Sequence, residues 1–388
     1  MFRDLVLKNR SYRRFDASQP IDRQTLVQLV DLARFIPSGR NLQPLKYLIA
    51  YTPERNHLIF ACLSWAGYLK DWGGPAENER PTGYIIVLGD KRLASGFGID
   101  PGIAAQTILL GAVGSPGVPD HVSLWGMLIP IRRTFRQRVN LRPTRRLPGI
   151  PGPLRSTAPL DFVVIRENVE GEYSEIGGRL YPDTEREVVV QESIFTRAGV
   201  DRVQRYAFEL ARKRARKHVT SATKSNGIIH TMPFWDERFR AAAAEYPDIK
   251  TSQYHIDILT AHFVQHPDWF DVVVASNLFG DILSDLGPAC AGGIGIAPSA
   301  NLNPEKKFPS MFEPVHGSAP DIAGRGVANP VATLWSVVLM LDFLGEATAA
   351  AALMAAIETV TGEGKVLTRD LGGKAGTREF TDAVLEKL

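Results

Sequence analysis

Two aspartates, Asp281 and Asp285, lie four residues apart in the segment NLFGDILSDLGPA. On a helix this spacing puts both carboxylates on one face, where their oxygens can reach a single hard cation such as Mg²⁺ or Mn²⁺. Acids at this spacing are also common on solvated helix surfaces that have no function. Because the pair follows a Val-rich strand pattern, where α/β sheets collect their ligands, the position favours a metal site.

Three arginines, Arg132, Arg142 and Arg166, precede Tyr173 in the chain. Guanidinium groups bind planar carboxylates through paired hydrogen bonds, so these residues favour a small di- or tricarboxylate over a sugar or a base. Many other arginines crowd the same region. A solvated basic face therefore remains the alternative interpretation.

Two further segments could carry chemistry. Lys224 lies among small polar residues in TSATKSNG, where burial could lower its pKa and make it an acid or a base. The stretch EPVHGSAPD at 313–321 combines one His and one Asp with turn-forming residues. Such a carboxylate can accept both hydroxyls of a ribose and such an imidazole can lie against an adenine, although by composition alone the segment is only a turn.

Strands and helices must alternate to position these residues. Val- and Ile-rich patterns predict buried strands at 162–165, 188–191 and 272–275. Helices are predicted at 200–217, 254–264, 281–286, 332–344 and 347–356. In the first hundred residues we expect a helix capped by Asp22, strands at 47–51 and 84–88, and a helix that begins after Pro101. This alternation predicts an α/β protein.

Composition restricts the class of protein. The 388 residues are 44% hydrophobic and 22% charged with a net charge of +3, which excludes global disorder and, at about 100–200 residues per domain, predicts two or three domains. Two cysteines, Cys62 and Cys290, fit a reducing compartment. The N-terminus lacks the apolar core of a signal peptide, and the apolar stretch 334–344 is shorter than the about 20 residues that span a bilayer. We expect a cytoplasmic protein without a membrane partner.

The basic run at 212–218 is a possible nucleic-acid patch. It closes a predicted helix, where cations favour the carbonyl end of the helix dipole. The small net charge gives no further support, so we expect no nucleic-acid partner.

From about residue 111 onward the sequence closely resembles the metal-dependent β-decarboxylating dehydrogenases, the family of isopropylmalate and isocitrate dehydrogenases, and within it the tartrate and D-malate dehydrogenase branch. The resemblance rests on motifs that occur in order: GSPGVPDHVSLWGMLIPIRR, RENVEGEY, TSATKSNG, NLFGDILSDLGPA and EPVHGSAPDIAG. It implies a two-lobe α/β fold of the isopropylmalate dehydrogenase type that lacks its first strands. The lobe for substrate and dimer contacts would cover about 140–275, and the nucleotide lobe about 111–139 and 276–388.

The resemblance also implies roles for residues. Substrate carboxylates would be bound by Arg132, Arg142 and Arg166, and protons would be handled by Tyr173 and Lys224. Mn²⁺ or Mg²⁺ would be held by Asp281, Asp285 and, across a homodimer interface, Asp257. NAD would be bound by Glu313, His316, Gly317, Asp321 and Asn329.

The implied reaction is oxidation of a small 2-hydroxy dicarboxylate such as D-malate or tartrate, with decarboxylation, by NAD and Mn²⁺ or Mg²⁺. K⁺ is a further candidate ion. An acid at Asp321 repels a 2′-phosphate and so favours NAD. The segment 125–129 lacks the acidic-plus-leucine pattern expected for isopropylmalate. The GDGIG-type loop that this family places under the nicotinamide does not occur in the sequence.

Residues 1–110 resemble the N-terminal half of an FMN-dependent nitroreductase, so a partial α+β segment of that type would precede the dehydrogenase region. The candidate flavin contacts are Arg10, Ser11, Arg13, Ser38, Asn41 and Gln43. Taken alone, these motifs are a basic turn and a helix C-cap. Later flavin-binding segments of that family are absent from the sequence. Two alternatives to the dehydrogenase therefore remain: an FMN-dependent reductase, and an inactive fusion that keeps only a folded substrate and dimer lobe.

Overall fold

The computed structural model describes residues 15–33, 45–63, 74–89, 124–155, 159–317 and 319–388. The chain divides into two compact units, Met1–Pro130 and Ile131–Leu388. The helix expected after Pro101 lies outside the described residues. The candidate flavin contacts also lie outside them: Arg10, Ser11, Arg13, Ser38, Asn41 and Gln43.

The first unit contains the helix after Asp22 and the two strands that the sequence predicts, together with a second helix at Pro53–Ala61 that was not expected. In its described part they are α1 (Arg23–Ala33), β1 (Leu45–Ala50), α2 (Pro53–Ala61) and β2 (Tyr84–Gly89). The carboxylate of Asp22 accepts the backbone N–H of Thr25 at 2.7 Å, so the expected cap at the start of α1 is confirmed. The two strands pair antiparallel.

The second unit is built on one large mixed sheet. Its described strands are β3 (Val139–Arg145), β4 (Asp161–Glu167), β5 (Gly177–Leu180), β6 (Val188–Gln191), β7 (His218–Thr223), β8 (Lys250–His255), β9 (Val272–Ala275), β10 (Pro298–Leu302) and β11 (Met311–Pro314). Seven of them form a sheet in the order β11-β10-β3-β4-β9-β7-β8. From β4 to β8 neighbouring strands run parallel, whereas β3, β10 and β11 add antiparallel pairs.

The described helices of the second unit are α3 (Ile129–Thr134), which crosses the boundary between the units, α4 (Arg197–Lys213), α5 (Thr231–Glu245), α6 (Ile256–Gln265), α7 (Asn277–Ala291), α8 (Val331–Leu344), α9 (Ala347–Glu363) and α10 (Thr377–Leu385). From α4 to α7 helices alternate with strands, and the last three helices follow one another without a described strand between them. This is the expected α/β fold. Among the described helices, none is long and apolar enough to cross a membrane.

The centre of the core is the parallel part of the sheet. Val272, Val273 and Val274 of β9 have no exposed surface, although their side chains alternate between the two faces. Both faces are therefore covered, and α4 and α7 both pack against β4 and β9. The run of valines in the sequence reflects this two-sided burial.

The carboxyl ends of the parallel strands carry most of the candidate site. Arg166 is the penultimate residue of β4, and the chain leaves β9 directly into α7 with Asp281. Lys224 follows β7, and Asp257 lies in the first turn of α6 after β8. Ligand sites of parallel sheets form at this edge, and the fold collects these residues there.

Three expectations about elements were wrong. The strand at 188–191 is exposed rather than buried, because among the described strands β6 pairs only with β5, in a separate two-stranded hairpin. The helix expected at 254–264 begins only at Ile256, since Tyr254 still pairs in β8. The helix expected at 200–217 ends at Lys213, and the residues that follow turn into β7.

The basic residues at the end of α4 and just after it contact nearby carboxylates and a backbone carbonyl. Arg214 donates to Asp271 at 2.5 Å, and Arg212 pairs with Asp248 at 2.8 Å. Arg216 donates to the backbone carbonyl of Asp268 at 2.7 Å. These contacts hold the turn between α4 and β7.

Candidate active site

Asp281 lies at the centre of a cluster of charged side chains. Arg166 donates to one of its oxygens, Arg142 lies 3.4 Å from the same oxygen, and the Tyr173 hydroxyl donates to the other at 2.7 Å. Burial alone would raise the pKa of Asp281, but Arg166 and Arg142 outweigh burial and hold it below its usual 3.8. Asp281 is therefore a carboxylate at neutral pH.

Arg166 is fixed by its surroundings before any ligand binds. Its Nε and Nη2 donate to the side-chain oxygen of Asn277 at 2.9 and 2.7 Å, and only 3% of the residue is exposed. A Cβ at Gly280 would lie 2.6 Å from the Cβ of Arg166. Glycine is thus required where α7 approaches the end of β4 this closely.

Arg142 extends from β3 into the same cluster. Its Nη1 donates to Ser284 at 2.6 Å and its Nε to Asn140 at 2.8 Å. Burial, together with the positive charge of Arg166, lowers the pKa of Arg142 to about 9. A buried cation that carries this cost favours an anionic ligand.

Arg132 of α3 completes the set of arginines. Its Nη2 lies 3.5 Å from Glu313, and burial lowers its pKa. Within the described residues its buried Nε has no hydrogen-bond partner. This donor is suited to the carboxylate of a ligand.

Tyr173 is held by its loop as well as by its hydroxyl. Its carbonyl accepts from Arg133 at 2.8 Å, and the neighbouring Glu172 accepts from the Ser276 hydroxyl at 2.6 Å and from the Leu278 backbone N–H at 3.0 Å. Burial and the negative charge of Asp281 raise the pKa of Tyr173 to about 12. The Tyr173 hydroxyl therefore keeps its proton at neutral pH.

Asp285 lies one turn after Asp281 on α7, with an oxygen 3.9 Å from Arg142. Its side chain is 59% exposed, and partial burial raises its pKa. Asp281 and Asp285 offer hard oxygen ligands on one helix face, as their spacing predicts.

Lys224 and Asp257 form a separate ion pair at 2.8 Å, in which the Asp257 side chain is 67% exposed. In the described residues of one chain, no group of three or more acidic, His or Cys side chains is arranged to hold a metal ion. A single copy therefore brings together Arg132, Arg142, Arg166, Tyr173, Asp281 and Asp285, and leaves Lys224 and Asp257 apart.

The candidate cofactor loop follows β11. His316 contacts the carbonyl oxygen of Gly317 through Nδ1 at 2.9 Å, and a Cβ at Gly317 would meet no atom within 4 Å. Asp321 is exposed on a short 3₁₀ turn. Asn329 already serves the fold, since its side chain donates to Asp370 at 2.8 Å and accepts the backbone N–H of Val331 at 3.0 Å.

Sequence reasoning missed the buried amides beside the arginines. Asn140, Asn168 and Asn301 are at most 3% exposed and hydrogen-bond to one another. The signal was present, because asparagine is disfavoured in strands and yet occurs in NLRPTR and PSANL. Nothing in the sequence indicated that these strands are neighbours.

Comparisons with known proteins match two parts of the chain to families. Residues 100–384 match the isocitrate/isopropylmalate dehydrogenase family, and residues 6–70 match the nitroreductase family. The chain is 61% identical over 287 residues to the D-malate dehydrogenase [decarboxylating] of Escherichia coli (strain K12), covering 72% of this chain and 79% of that protein. It is 59% identical over 292 residues to the tartrate dehydrogenase/decarboxylase of Pseudomonas putida, covering 73% of this chain and 80% of that protein.

A solved structure is also similar. The isocitrate dehydrogenase from Methylococcus capsulatus superposes with a TM-score of 0.63 at 36% sequence identity, covering 67% of this chain and 76% of that chain. The expected fold class is thereby confirmed. The family match over residues 100–384 includes the residues of the arginine and aspartate cluster.

Proposed function

The chain belongs to the isocitrate/isopropylmalate dehydrogenase family, and from that premise we propose that it oxidises a small 2-hydroxy dicarboxylate such as D-malate or tartrate, with loss of CO₂, using NAD and Mn²⁺ or Mg²⁺. The observation that carries the proposal is the convergence of three buried arginines, Arg132, Arg142 and Arg166, on Asp281. Two carboxylates of a substrate match this excess of positive charge.

The donor set fits a divalent metal ion. Asp281 and Asp285 supply carboxylate oxygens four residues apart on α7. We assign a third carboxylate, Asp257, to a second copy of the chain; within one copy it forms an ion pair with Lys224. A bound metal supplies a Lewis acid for the 2-hydroxyl oxygen, and NAD supplies the hydride acceptor.

The residues of the chain have distinct tasks in this reaction. Arg142 and Arg166 orient the substrate so that its C2–H bond can deliver a hydride and its departing carboxylate can leave as CO₂. Tyr173, whose pKa is raised to about 12, keeps its proton until the enolate left by decarboxylation needs one. Lys224 of a second copy is the other proton-handling group.

A homodimer follows from this division of the site. The hairpin of β5 and β6 exposes an apolar surface that includes Leu180, Val188, Val189 and Val190. Such a patch on an open two-stranded sheet is typical of a surface that pairs with another chain. We assign it to a second copy that also brings Lys224 and Asp257 to the cluster.

NAD is assigned to the end of β11 and the segment that follows it. Its proposed contacts are Glu313, His316, Gly317, Asp321 and Asn329. The exposed Asp321 carboxylate favours NAD over its 2′-phosphorylated form, because like charges repel. Asn329 would have to share its side chain with Asp370.

The decisive assay is the absorbance of reduced nicotinamide after mixing the protein with NAD, Mn²⁺, K⁺ and either D-malate or tartrate. We expect metal-dependent turnover, and kcat/KM more than about 100-fold lower in Asp281→Asn. Asp382→Asn, which removes only a surface ion pair with Arg378, is the matched control and should behave as wild type. A folded protein that reduces no NAD with either substrate would contradict the proposal.

A second candidate activity rests on the nitroreductase match over residues 6–70. This activity would need FMN as a cofactor. The candidate contacts of FMN are Arg10, Ser11, Arg13, Ser38, Asn41 and Gln43. Purified protein that carries bound flavin, seen as yellow absorbance and identified after denaturation as FMN, would support this candidate. Colourless protein that takes up no added FMN would remove it.

A further inference from the structure

Three buried asparagines lie between the arginine cluster and Glu313, a candidate cofactor contact at the end of β11. Asn140 of β3 and Asn301 of β10 have no exposed surface, and Asn168 follows β4. β10, β3 and β4 are adjacent in the sheet. The amides therefore lie side by side in a region that excludes water.

The hydrogen bonds of this group run in one direction. Arg142 Nε donates to Asn140 Oδ1 at 2.8 Å, Asn140 Nδ2 donates to Asn301 Oδ1 at 2.8 Å, and Asn301 Nδ2 donates to Glu313 Oε1 at 2.8 Å. We call this chain of bonds the amide relay. It connects a residue that would bind substrate with a residue that would bind the dinucleotide.

The two ends of the amide relay fix the orientation of each amide. A guanidinium can only donate and an ionised carboxylate can only accept, so both side-chain oxygens must point towards Arg142. Asn140 Oδ1 also accepts from Ser299 at 3.2 Å, and Asn301 Oδ1 also accepts from Asn168 at 2.9 Å. Reversing one amide would break bonds on both of its sides.

We infer that Asn140 and Asn301 are positioning residues that couple dicarboxylate binding at Arg142 to dinucleotide binding at Glu313. The inference rests on the proposed function. A dicarboxylate that orders Arg142 also orders the aligned amides and holds Glu313, so a dinucleotide that binds next loses less conformational entropy. By linkage, the dinucleotide must strengthen dicarboxylate binding by the same factor.

A shorter route must be separated from the amide relay. Arg132 lies 3.5 Å from Glu313 and could couple the two ligands directly. Asn301→Leu removes the amide that contacts Glu313 and leaves both Arg132 and Glu313 in place. Asn140→Asp keeps the acceptor for Arg142 and removes the donor to Asn301, so it breaks the amide relay with a smaller change in shape.

The test is calorimetric titration of the full-length protein with NAD, with and without saturating succinate, at constant Mg²⁺. Succinate has no 2-hydroxyl and cannot be oxidised, so the readout is binding alone. In wild type we expect succinate to lower the Kd of NAD at least about fivefold, and NAD to lower the Kd of succinate equally. Both variants should still bind each ligand, but succinate should change the Kd of NAD by less than about twofold.

The matched control is Gln204→Leu, which removes a buried amide that donates to the Trp235 carbonyl at 3.1 Å, away from the amide relay. It should keep the wild-type coupling. Full coupling in either folded variant would overturn the inference and assign the coupling to Arg132. If the wild type binds both ligands without coupling, the inference is overturned and the proposed function stands. If the wild type binds neither ligand, the proposed function is contradicted as well.

Discussion

Glu167, the last residue of β4, should make the stability of the protein fall as pH rises. It is 2% exposed, and burial raises its pKa from 4.5 to about 8. Its Oε2 accepts the backbone N–H groups of Val169 and Glu170 at 2.9 and 2.7 Å. These bonds shape the turn that leads from Arg166 to Tyr173.

The direction of the effect follows from proton binding. Because the folded-state pKa of Glu167 is the higher one, the folded protein keeps this proton between pH 4.5 and about 8 while the unfolded chain releases it. The stabilisation is complete below pH 4.5 and is lost as pH rises through about 8. At about 1.4 kcal/mol per pKa unit the whole shift corresponds to about 5 kcal/mol. Because the surroundings of a buried carboxylate relax when it ionises, we expect a smaller loss of about 2–4 kcal/mol across this range.

The assay is urea unfolding of wild type and Glu167→Gln at several pH values across that range. Glutamine does not titrate, so the free energy of unfolding of wild type should fall relative to the variant by about 2–4 kcal/mol as pH rises. Glu386→Gln, at the exposed end of α10, is the control and should run parallel to wild type. A wild-type-minus-variant difference that does not change with pH would refute the reasoning.

Three further outcomes test the site. Gly280→Ala should destabilise the protein by about 1–3 kcal/mol in thermal unfolding, because the new Cβ would displace Arg166. The same displacement should raise KM for the dicarboxylate, and an unchanged KM would contradict this. Mixing Lys224→Ala chains with Asp281→Asn chains should restore about one quarter of wild-type activity, because half of the randomly formed dimers would hold one intact site out of two. No recovery of activity after verified subunit exchange would count against the shared site. Asp321→Ser should raise kcat/KM for the 2′-phosphorylated cofactor relative to NAD by at least about tenfold in steady-state kinetics, and an unchanged ratio would remove Asp321 from cofactor selection.

The sequence by itself determined the local features of this protein. The four-residue spacing of Asp281 and Asp285 places them on one face of α7 whatever packs around that helix. The run of valines at 272–275 predicts a buried strand, and β9 occupies those residues. The family motifs indicated which of the many arginines are candidates for binding substrate. Such patterns are readable because helix and strand periodicity depend on neighbours along the chain.

Only the tertiary structure decided which distant segments meet. The run at 188–191 has the composition of a buried strand, yet it is exposed because, in the part of the chain that the structure describes, it pairs with β5 alone. Asn140 and Asn301 look like poor strand residues until the sheet order puts β3 beside β10. Burial and hydrogen-bond partners depend on contacts between segments far apart in sequence, and no local pattern encodes those contacts.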